Sequence, residues 1–209
     1  TTEIYTLSLH DALPIFGGPL PEYAILMNHP GKGYDSLFQV EGSRNMADRQ
    51  DLTMLNLPIE SLKGYCLKAL LDSQAVWFAC DVGVDNFNDS GVFRLGIYDF
   101  ASTLGMSFDI AKADRITLGD SYPNHAMTLV GVDTAADGAP VKWLVANSWG
   151  DKPGDDGYWT MYNDWFDMNV YLAVVRKDLL SEADRKKLDR KPVVLPSWDP
   201  FYRAAKNLK

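Results

Sequence analysis

Two polar residues stand at the ends of strand-like segments, where one could transfer protons and the other could orient it. His125 begins the segment HAMTLVGVD, and Asn147 lies near the end of VKWLVANSW. A hairpin of these two segments would place the side chains next to each other. The amide oxygen of Asn147 could then accept a hydrogen bond from one imidazole nitrogen of His125, which fixes the tautomer and directs the other nitrogen at a nucleophile. Trp149 could shield that bond from water.

A histidine held in this way can activate a thiol. An imidazolium beside a cysteine lowers the pKa of the thiol, so a thiolate exists near neutral pH and can attack an amide carbonyl. The pair therefore favours acyl transfer with His125 as base and acid. A lone histidine in apolar company is, however, more often a packed or surface residue than a catalytic one. An ordinary sheet domain, in which His125 and Asn147 are merely structural, stays an alternative.

The other histidines and both cysteines are weaker candidates. His10 lies in an unusual opening segment, and His29 lies in a turn rich in Pro and Gly. Cys66 falls on the apolar face of a predicted helix, and Cys80 lies inside a buried strand-like run. Free cysteines in such places are most often core residues. We expect neither cysteine to be a nucleophile.

Composition excludes several classes of protein. The chain has 209 residues, of which 46% are hydrophobic and 23% charged, as in a folded globular domain and unlike a disordered chain. Its 28 acidic residues exceed its 20 basic ones, so we expect no nucleic-acid partner. No apolar run approaches the roughly 20 residues of a membrane helix. Two cysteines cannot build a secreted scaffold with several disulfides, so a reducing compartment fits best.

Three aspartates raise the possibility of a metal site. Asp81, Asp155 and Asp156 all lie in predicted turns. Their spacing matches neither a calcium loop nor a zinc site. We expect solvated turn carboxylates, and neither a metal nor a cofactor.

Hydrophobic periodicity predicts a framework of helices and strands. The segment LPIESLKGYCLKALLDSQ carries apolar residues at helical spacing, with Pro58 and Glu60 suited to its first turn. The run AVWFACDVG predicts a buried strand. Further strands are predicted in HAMTLVGVD, VKWLVANSW, GYWTMYNDWF and VYLAVV, separated by turns, so we expect an antiparallel sheet.

The remaining segments carry weaker signals. Residues 16–51 read as connecting and edge material, with a turn in MNHPGKGYD and a short strand in LFQVEG. A short helix is predicted to begin in YDFASTLG, and KADRITLGDSYPN reads as a connection. The charged run SEADRKKLDRK predicts a solvent-facing helix or tail.

The first fifteen residues, TTEIYTLSLHDALPI, are unusual. They lack the order of charged and then apolar residues that marks a secretory signal. Most of them can be spelled in codons that resemble a sequencing adaptor. We expect residues 1–15 to be a non-native leader and the natural coding sequence to begin further upstream.

The combined motifs resemble the papain-like cysteine peptidases, and within them bleomycin hydrolase and bacterial aminopeptidase C. The resemblance runs from about Tyr23 to Pro200 through LPIESLKGYCLKAL, VWFACDVG, NHAMTLVGVD, KWLVANSWGDKPGDDGYWTMYNDWF and LPSWDP. It implies an α+β, papain-like fold, in which residues 16–209 are the C-terminal half with an antiparallel, barrel-like sheet and the N-terminal helical half is missing. It also implies that His125 is the general base and acid, that Asn147 orients it, and that Trp149 supports both.

The resemblance has consequences for activity. In this family the nucleophilic cysteine starts a long helix, next to a Trp and after a Gln of the oxyanion hole, and the sequence contains no such segment. Without thiol and oxyanion donors, we expect the chain alone to be inactive. The complete protein is expected to hydrolyse peptides from their N-termini through an acyl-thioester, as a cytoplasmic homohexamer without a cofactor. A catalytically dead papain-like subunit that binds peptides or serves assembly is the alternative.

The C-terminal ending departs from the family pattern. In the family, the last residues enter the active-site cleft and restrict cleavage to the N-terminal end of the substrate. Relatives commonly continue after WDP with a short tail of small residues, whereas Phe201–Lys209 is bulkier and cationic. The preference for N-termini therefore depends on this ending, whereas the thiol chemistry does not.

Overall fold

The computed structural model describes residues 22–44 and 46–201 of the chain. The predicted leader at 1–15, with His10, and the ending at 202–209 lie outside these ranges. In chain order the strands are β1 (Tyr23–Met27), β2 (Ser36–Val40), β3 (Thr53–Asn56), β4 (Val76–Cys80), β5 (Asn86–Phe87), β6 (Val92–Phe93), β7 (His125–Thr134), β8 (Pro140–Ala146), β9 (Tyr158–Tyr162), β10 (Val170–Arg176) and β11 (Val193–Leu195). The helices are α1 (Ile59–Leu71), α2 (Phe100–Leu104), α3 (Lys112–Leu118), α4 (Asn163–Asn169) and α5 (Glu182–Lys187), with a 3-10 turn at Lys177–Leu179.

The strands form one mixed sheet in the order β11, β2, β3, β1, β10, β4, β7, β8, β9, β6, β5. Most neighbours are antiparallel, whereas β1 with β3, β2 with β11, and β6 with β9 are parallel. The α+β expectation is confirmed. Within the described ranges the strand order has two ends and the sheet is not closed, so the barrel-like closure is not confirmed.

Strand β1 corrects the interpretation of residues 16–51 as connecting and edge material. It lies inside the sheet, antiparallel to β10 and parallel to β3. Leu26 and Met27 are fully buried there. The run YAILM has no polar alternation and precedes the turn-forming NHPG, so its pattern does not separate a central strand from a connection. The predicted short strand in LFQVEG is confirmed as β2.

The predicted amphipathic helix is confirmed as α1. It begins after Pro58, whose backbone is extended, and Glu60 lies in its first turn, where a carboxylate complements the helix dipole. Leu62, Cys66 and Ala69 are buried on the face that packs against β4, β7 and β10. This helix covers the sheet on the side of the larger core.

Two short helices differ from the sequence-based interpretation. Residues 112–118, expected to be a connection, form α3, which ends at Gly119 in the left-handed conformation (φ 72°). Its buried residues are Lys112, Arg115 and Ile116, and an apolar pattern cannot reveal a helix whose buried face is largely basic. The end of GYWTMYNDWF, expected to be strand, forms α4 instead. Its Trp165 and Phe166 are fully buried.

Helix length bears on membrane insertion, and the grouping of side chains bears on metal binding. The longest helix in the described ranges, α1, has 13 residues and is therefore about 20 Å long. A bilayer core is about 30 Å thick. None of the helices in these ranges is long and apolar enough to span a membrane. The described residues also bring no three His, Cys, Asp or Glu side chains together around a possible metal position.

Candidate active site

Four neighbouring strands position His125 and Asn147. His125 is the first residue of β7 and pairs with Cys80, the last residue of β4. Strand β8 runs antiparallel to β7 and ends at Ala146, directly before Asn147. The backbone N–H of Asn147 donates to the carbonyl of Gly157 at 3.1 Å, which extends the β8–β9 pairing by one step. Regular backbone pairing thus holds both residues.

The side chains of His125 and Asn147 lie within hydrogen-bonding distance, as the hairpin argument predicts. Nε2 of His125 is 2.9 Å from Oδ1 of Asn147. The backbone N–H of Ser148 donates to the same Oδ1 at 2.8 Å, which identifies that atom as the acceptor oxygen of the amide. The imidazole must therefore donate through Nε2. In the neutral ring, Nδ1 then carries the lone pair that can accept a proton.

The nitrogen of the Asn147 amide lacks the hydrogen bonds that its oxygen has. Its Nδ2 atom is buried and has no hydrogen-bond partner among the described residues. A buried donor without a partner costs free energy, so its position must be set by other contacts. The two hydrogen bonds to Oδ1 are those contacts. The orientation of Asn147 therefore depends on its oxygen.

Trp149 packs against the imidazole of His125. The ring centroids of the two residues are 4.8 Å apart with an interplanar angle of 35°. The ring centroids of Trp149 and Trp159 are 5.3 Å apart with an interplanar angle of 81°, and Trp159 is 1% exposed. Trp149 itself remains 39% exposed. It therefore covers part of the imidazole while being anchored on the core.

Close packing of Gly91 against Gly154 restrains the loop that carries Trp149. Gly154 has φ of 79°, and a Cβ there would lie 2.4 Å from the carbonyl oxygen of Tyr158. A Cβ on Gly91 would lie 2.5 Å from Cα of Gly154. The backbone N–H of Gly154 donates to Asn88 at 3.3 Å. Side chains are excluded from this contact, which fixes the turn between β8 and β9.

Both cysteines lie in the core. Cys66 and Cys80 are both fully buried free thiols. Burial raises the pKa of Cys66 to about 12 and raises the pKa of Cys80 well above its usual range. The Sγ atom of Cys80 is 3.8 Å from the backbone oxygen of His125, so its polar contact is with the main chain and not with the imidazole. Both thiols are core groups, as the sequence indicates.

His29 is a buried structural residue that the turn signal does not reveal. Its backbone N–H donates to Oδ1 of Asn56 at 2.8 Å, and its Nδ1 accepts from the N–H of Gly31 at 3.2 Å. Its ring packs against Phe201 at 5.2 Å. Burial, assisted by the charge of Lys32, lowers the pKa of His29 to about 4. His29 therefore packs in the core against Phe201.

The turn aspartates divide into two kinds. Asp155 and Asp156 are exposed, as predicted. Asp81 is 3% exposed, so the expectation of a solvated carboxylate is wrong for this residue. It accepts hydrogen bonds from three groups, and such partners satisfy a buried carboxylate without solvent.

Comparisons with known proteins give a consistent family relationship. The sequence profile described as "Peptidase C1-like family" matches residues 16–202. Aminopeptidase C of Lactococcus lactis subsp. cremoris is 38% identical over 187 residues, which cover 88% of this chain and 43% of that protein. Bleomycin hydrolase of Homo sapiens is 34% identical over 197 residues, which cover 93% of this chain and 41% of that protein.

A solved structure shows the same relationship. The crystal structure of PepW from Lactobacillus rhamnosis HN001 superimposes with a TM-score of 0.82 and 37% sequence identity. The match covers 85% of this chain and 41% of the PepW chain. The chain thus spans about two fifths of the length of the relatives that it matches.

Proposed function

We propose that this chain, which belongs to the Peptidase C1-like family, supplies the base and the orienting amide of a thiol peptidase site that acts on peptide N-termini. The observation that carries the proposal is the 2.9 Å contact between Nε2 of His125 and Oδ1 of Asn147. It leaves Nδ1 of the imidazole as the proton acceptor. Trp149 packs on the same ring.

The proposed reaction proceeds in two stages. Nδ1 of His125 accepts the proton of a cysteine thiol, and the thiolate attacks the carbonyl carbon of the substrate amide. The C–N bond breaks as the imidazolium gives its proton to the leaving amine, and an acyl-thioester remains. Water then cleaves the thioester, with His125 accepting a proton from the water and returning it to the sulfur. Asn147 holds the ring in one tautomer throughout.

The nucleophile in this proposal comes from outside these 209 residues. The chain has two cysteines, and both are fully buried with raised thiol pKa values. A thiol that stays protonated and enclosed cannot attack a substrate. We therefore propose that the chain alone is inactive and that the part of the family fold beyond the matched two fifths provides the thiol.

The preference for N-termini rests on the relatives. The matched proteins include several called aminopeptidase C, and this name motivates the proposal for the present chain. The ending at 202–209, which differs from the family pattern, bears on this preference and lies outside the described residues. A homohexameric assembly and a cytoplasmic location stay predictions.

A fusion protein tests the proposal. In this fusion, residues 16–209 replace the matched part of Lactococcus lactis aminopeptidase C. We expect the folded fusion to hydrolyse an aminoacyl fluorogenic substrate and to lose this activity with iodoacetamide. The 209-residue chain alone should show no turnover that iodoacetamide inhibits. Turnover by the chain alone that iodoacetamide inhibits would contradict the proposal. A folded fusion that binds peptide without cleaving it would also contradict the proposal and would favour the catalytically dead subunit.

A further inference from the structure

A buried carboxylate lies one residue beyond Cys80, the strand residue that pairs with His125. Asp81 follows the last residue of β4 and is 3% exposed. Its Oδ1 accepts hydrogen bonds from Nδ2 of Asn124 at 2.6 Å and from the backbone N–H of Gly83 at 2.8 Å. Its Oδ2 accepts from the hydroxyl of Ser121 at 2.6 Å. These donors hold the carboxylate in one orientation.

Asn124 connects this carboxylate to the residue that carries the base. It immediately precedes His125, and its backbone N–H donates to the carbonyl of Cys80 at 3.0 Å. Its side-chain Oδ1 accepts from the backbone N–H of Val82 at 3.0 Å, while its Nδ2 donates to Asp81. One amide thus bridges the end of β4 and the start of β7. Both the backbone and the side chain of Asn124 therefore hold the residue that precedes His125.

The negative charge of Asp81 has a defined set of partners. Nη2 of Arg115 lies 3.6 Å from its Oδ2. The hydroxyl of Ser121 uses its single hydrogen for Asp81, so it accepts from the hydroxyl of Tyr171 at 2.6 Å. Nη1 of Arg115 also donates to Oδ1 of Asn169 at 3.1 Å. Nε of Arg115 also donates to Oδ2 of the exposed Asp120 at 3.0 Å. The side chain of Asp81 is linked to His125 through Asn124, and its chain neighbour Cys80 pairs with His125 through the backbone.

Buried charges are a weak source of stability, because desolvation offsets much of the attraction between partners. Their better-supported use is to specify one arrangement among several. Here that arrangement is the pairing of the end of β4 with the start of β7, whose first residue is His125. We infer that Asp81 is a positioning residue for His125, acting through Asn124, and that it keeps Nε2 of the imidazole directed at Asn147. The inference rests on the function proposed above for His125.

The tautomer of the imidazole gives a direct test, independent of activity. Long-range proton–nitrogen correlation spectra of the 209-residue chain report the ratio of the Nε2–H to the Nδ1–H form of His125 in the neutral ring. We expect Asp81→Asn and Asn124→Ala to lower this ratio by about threefold to tenfold, the factor of one lost hydrogen bond. Asn124 is exposed and uncharged, so its replacement leaves no buried charge unpaired.

A matched substitution separates positioning from general damage. Asp199 is 6% exposed and pairs with Lys32 at 2.8 Å, so Asp199→Asn removes a comparable buried charge elsewhere. We expect Asp199→Asn to move the signals of His29 and to leave those of His125 unchanged. Unchanged His125 signals in folded Asn124→Ala would overturn the inference. This result would not affect the fusion-protein test, and an inactive fusion would not change the spectra.

Discussion

Nε2 of His125 lies 2.9 Å from Oδ1 of Asn147, although the two residues are 22 positions apart in the chain. The contact exists because β7 and β8 are antiparallel neighbours and because Asn147 continues the pairing of β8 with β9. A second donor, the backbone N–H of Ser148, fixes the same oxygen. Both donors hold the amide oxygen in one position.

Removing the amide of Asn147 should reduce turnover more than substrate binding. In the fusion protein we expect Asn147→Ala to lower kcat by about tenfold to a hundredfold with little change in KM, below the ~10²–10⁴-fold that general acid–base catalysis contributes as a whole. Asn147→Asp keeps an acceptor oxygen and should lose less. Steady-state kinetics measure both. An Asn147→Ala fusion with the parent kcat would show that this contact does not serve catalysis.

Trp149 should contribute modestly to stability. Trp149→Ala removes its contacts with His125 and Trp159, and aromatic pairs contribute about 0.5–1.5 kcal/mol beyond area burial. We expect the free energy of unfolding in urea to fall by about 1 kcal/mol or slightly more, because the side chain is 39% exposed already. Trp198→Ala is the matched control, since that side chain is 73% exposed. Equal losses in the two variants would argue against the packing role of Trp149.

The two cysteines should be unreactive in the folded chain. Burial raises the pKa of both thiols, so little thiolate is present near pH 8 and reagents have no access to it. We expect iodoacetamide to leave Cys66 and Cys80 unmodified in buffer and to alkylate both in concentrated urea, as followed by mass spectrometry. Rapid alkylation of Cys80 without denaturant would refute its assignment as a core residue.

His29 should make the chain less stable in mild acid. Its pKa is about 4 in the folded chain and about 6.5 ordinarily, so between these values the unfolded chain binds a proton that the folded chain does not. The free energy of unfolding must therefore fall as the pH falls from 6.5 to 4, by up to about 3 kcal/mol, and by less to the extent that solvent screens the charge.

The variant His29→Gln cannot take up this proton. Its free energy of unfolding should therefore depend less on pH between 6.5 and 4 than that of the parent chain. Urea denaturation at several pH values measures the slope. If the two slopes are the same, burial of His29 does not cause the acid sensitivity.

Sequence reasoning predicts the central part of the sheet and the paired residues well. The segments containing β4, β7, β8 and β10 have strong apolar runs bounded by turn residues, and α1 has clear helical periodicity. Because β7 and β8 are joined by the short turn AADGAP, their pairing follows from local signals. The proximity of His125 and Asn147 could therefore be predicted without coordinates, whereas the two register shifts between β7 and β8 could not.

The polar network and the short elements could not be predicted in this way. Asp81 reads as a turn carboxylate because nothing local shows that Ser121 and Asn124 bind it. Helix α3 buries Lys112, whose Nζ donates to Oδ1 of Asn28 at 2.7 Å, a residue 84 positions away. Such burial depends on long-range partners, and periodicity of apolar residues carries no information about them.

The central claim is that His125 is the base of a thiol peptidase site, and replacing it in the fusion protein tests this claim most directly. His29→Gln is the matched control, since it replaces a histidine outside the candidate site. We predict that His125→Ala lowers the iodoacetamide-sensitive kcat/KM for an aminoacyl fluorogenic substrate by about 10²–10⁴-fold, while His29→Gln leaves it within about twofold of the parent. A folded His125→Ala fusion that retains the kcat/KM of the parent would contradict the account.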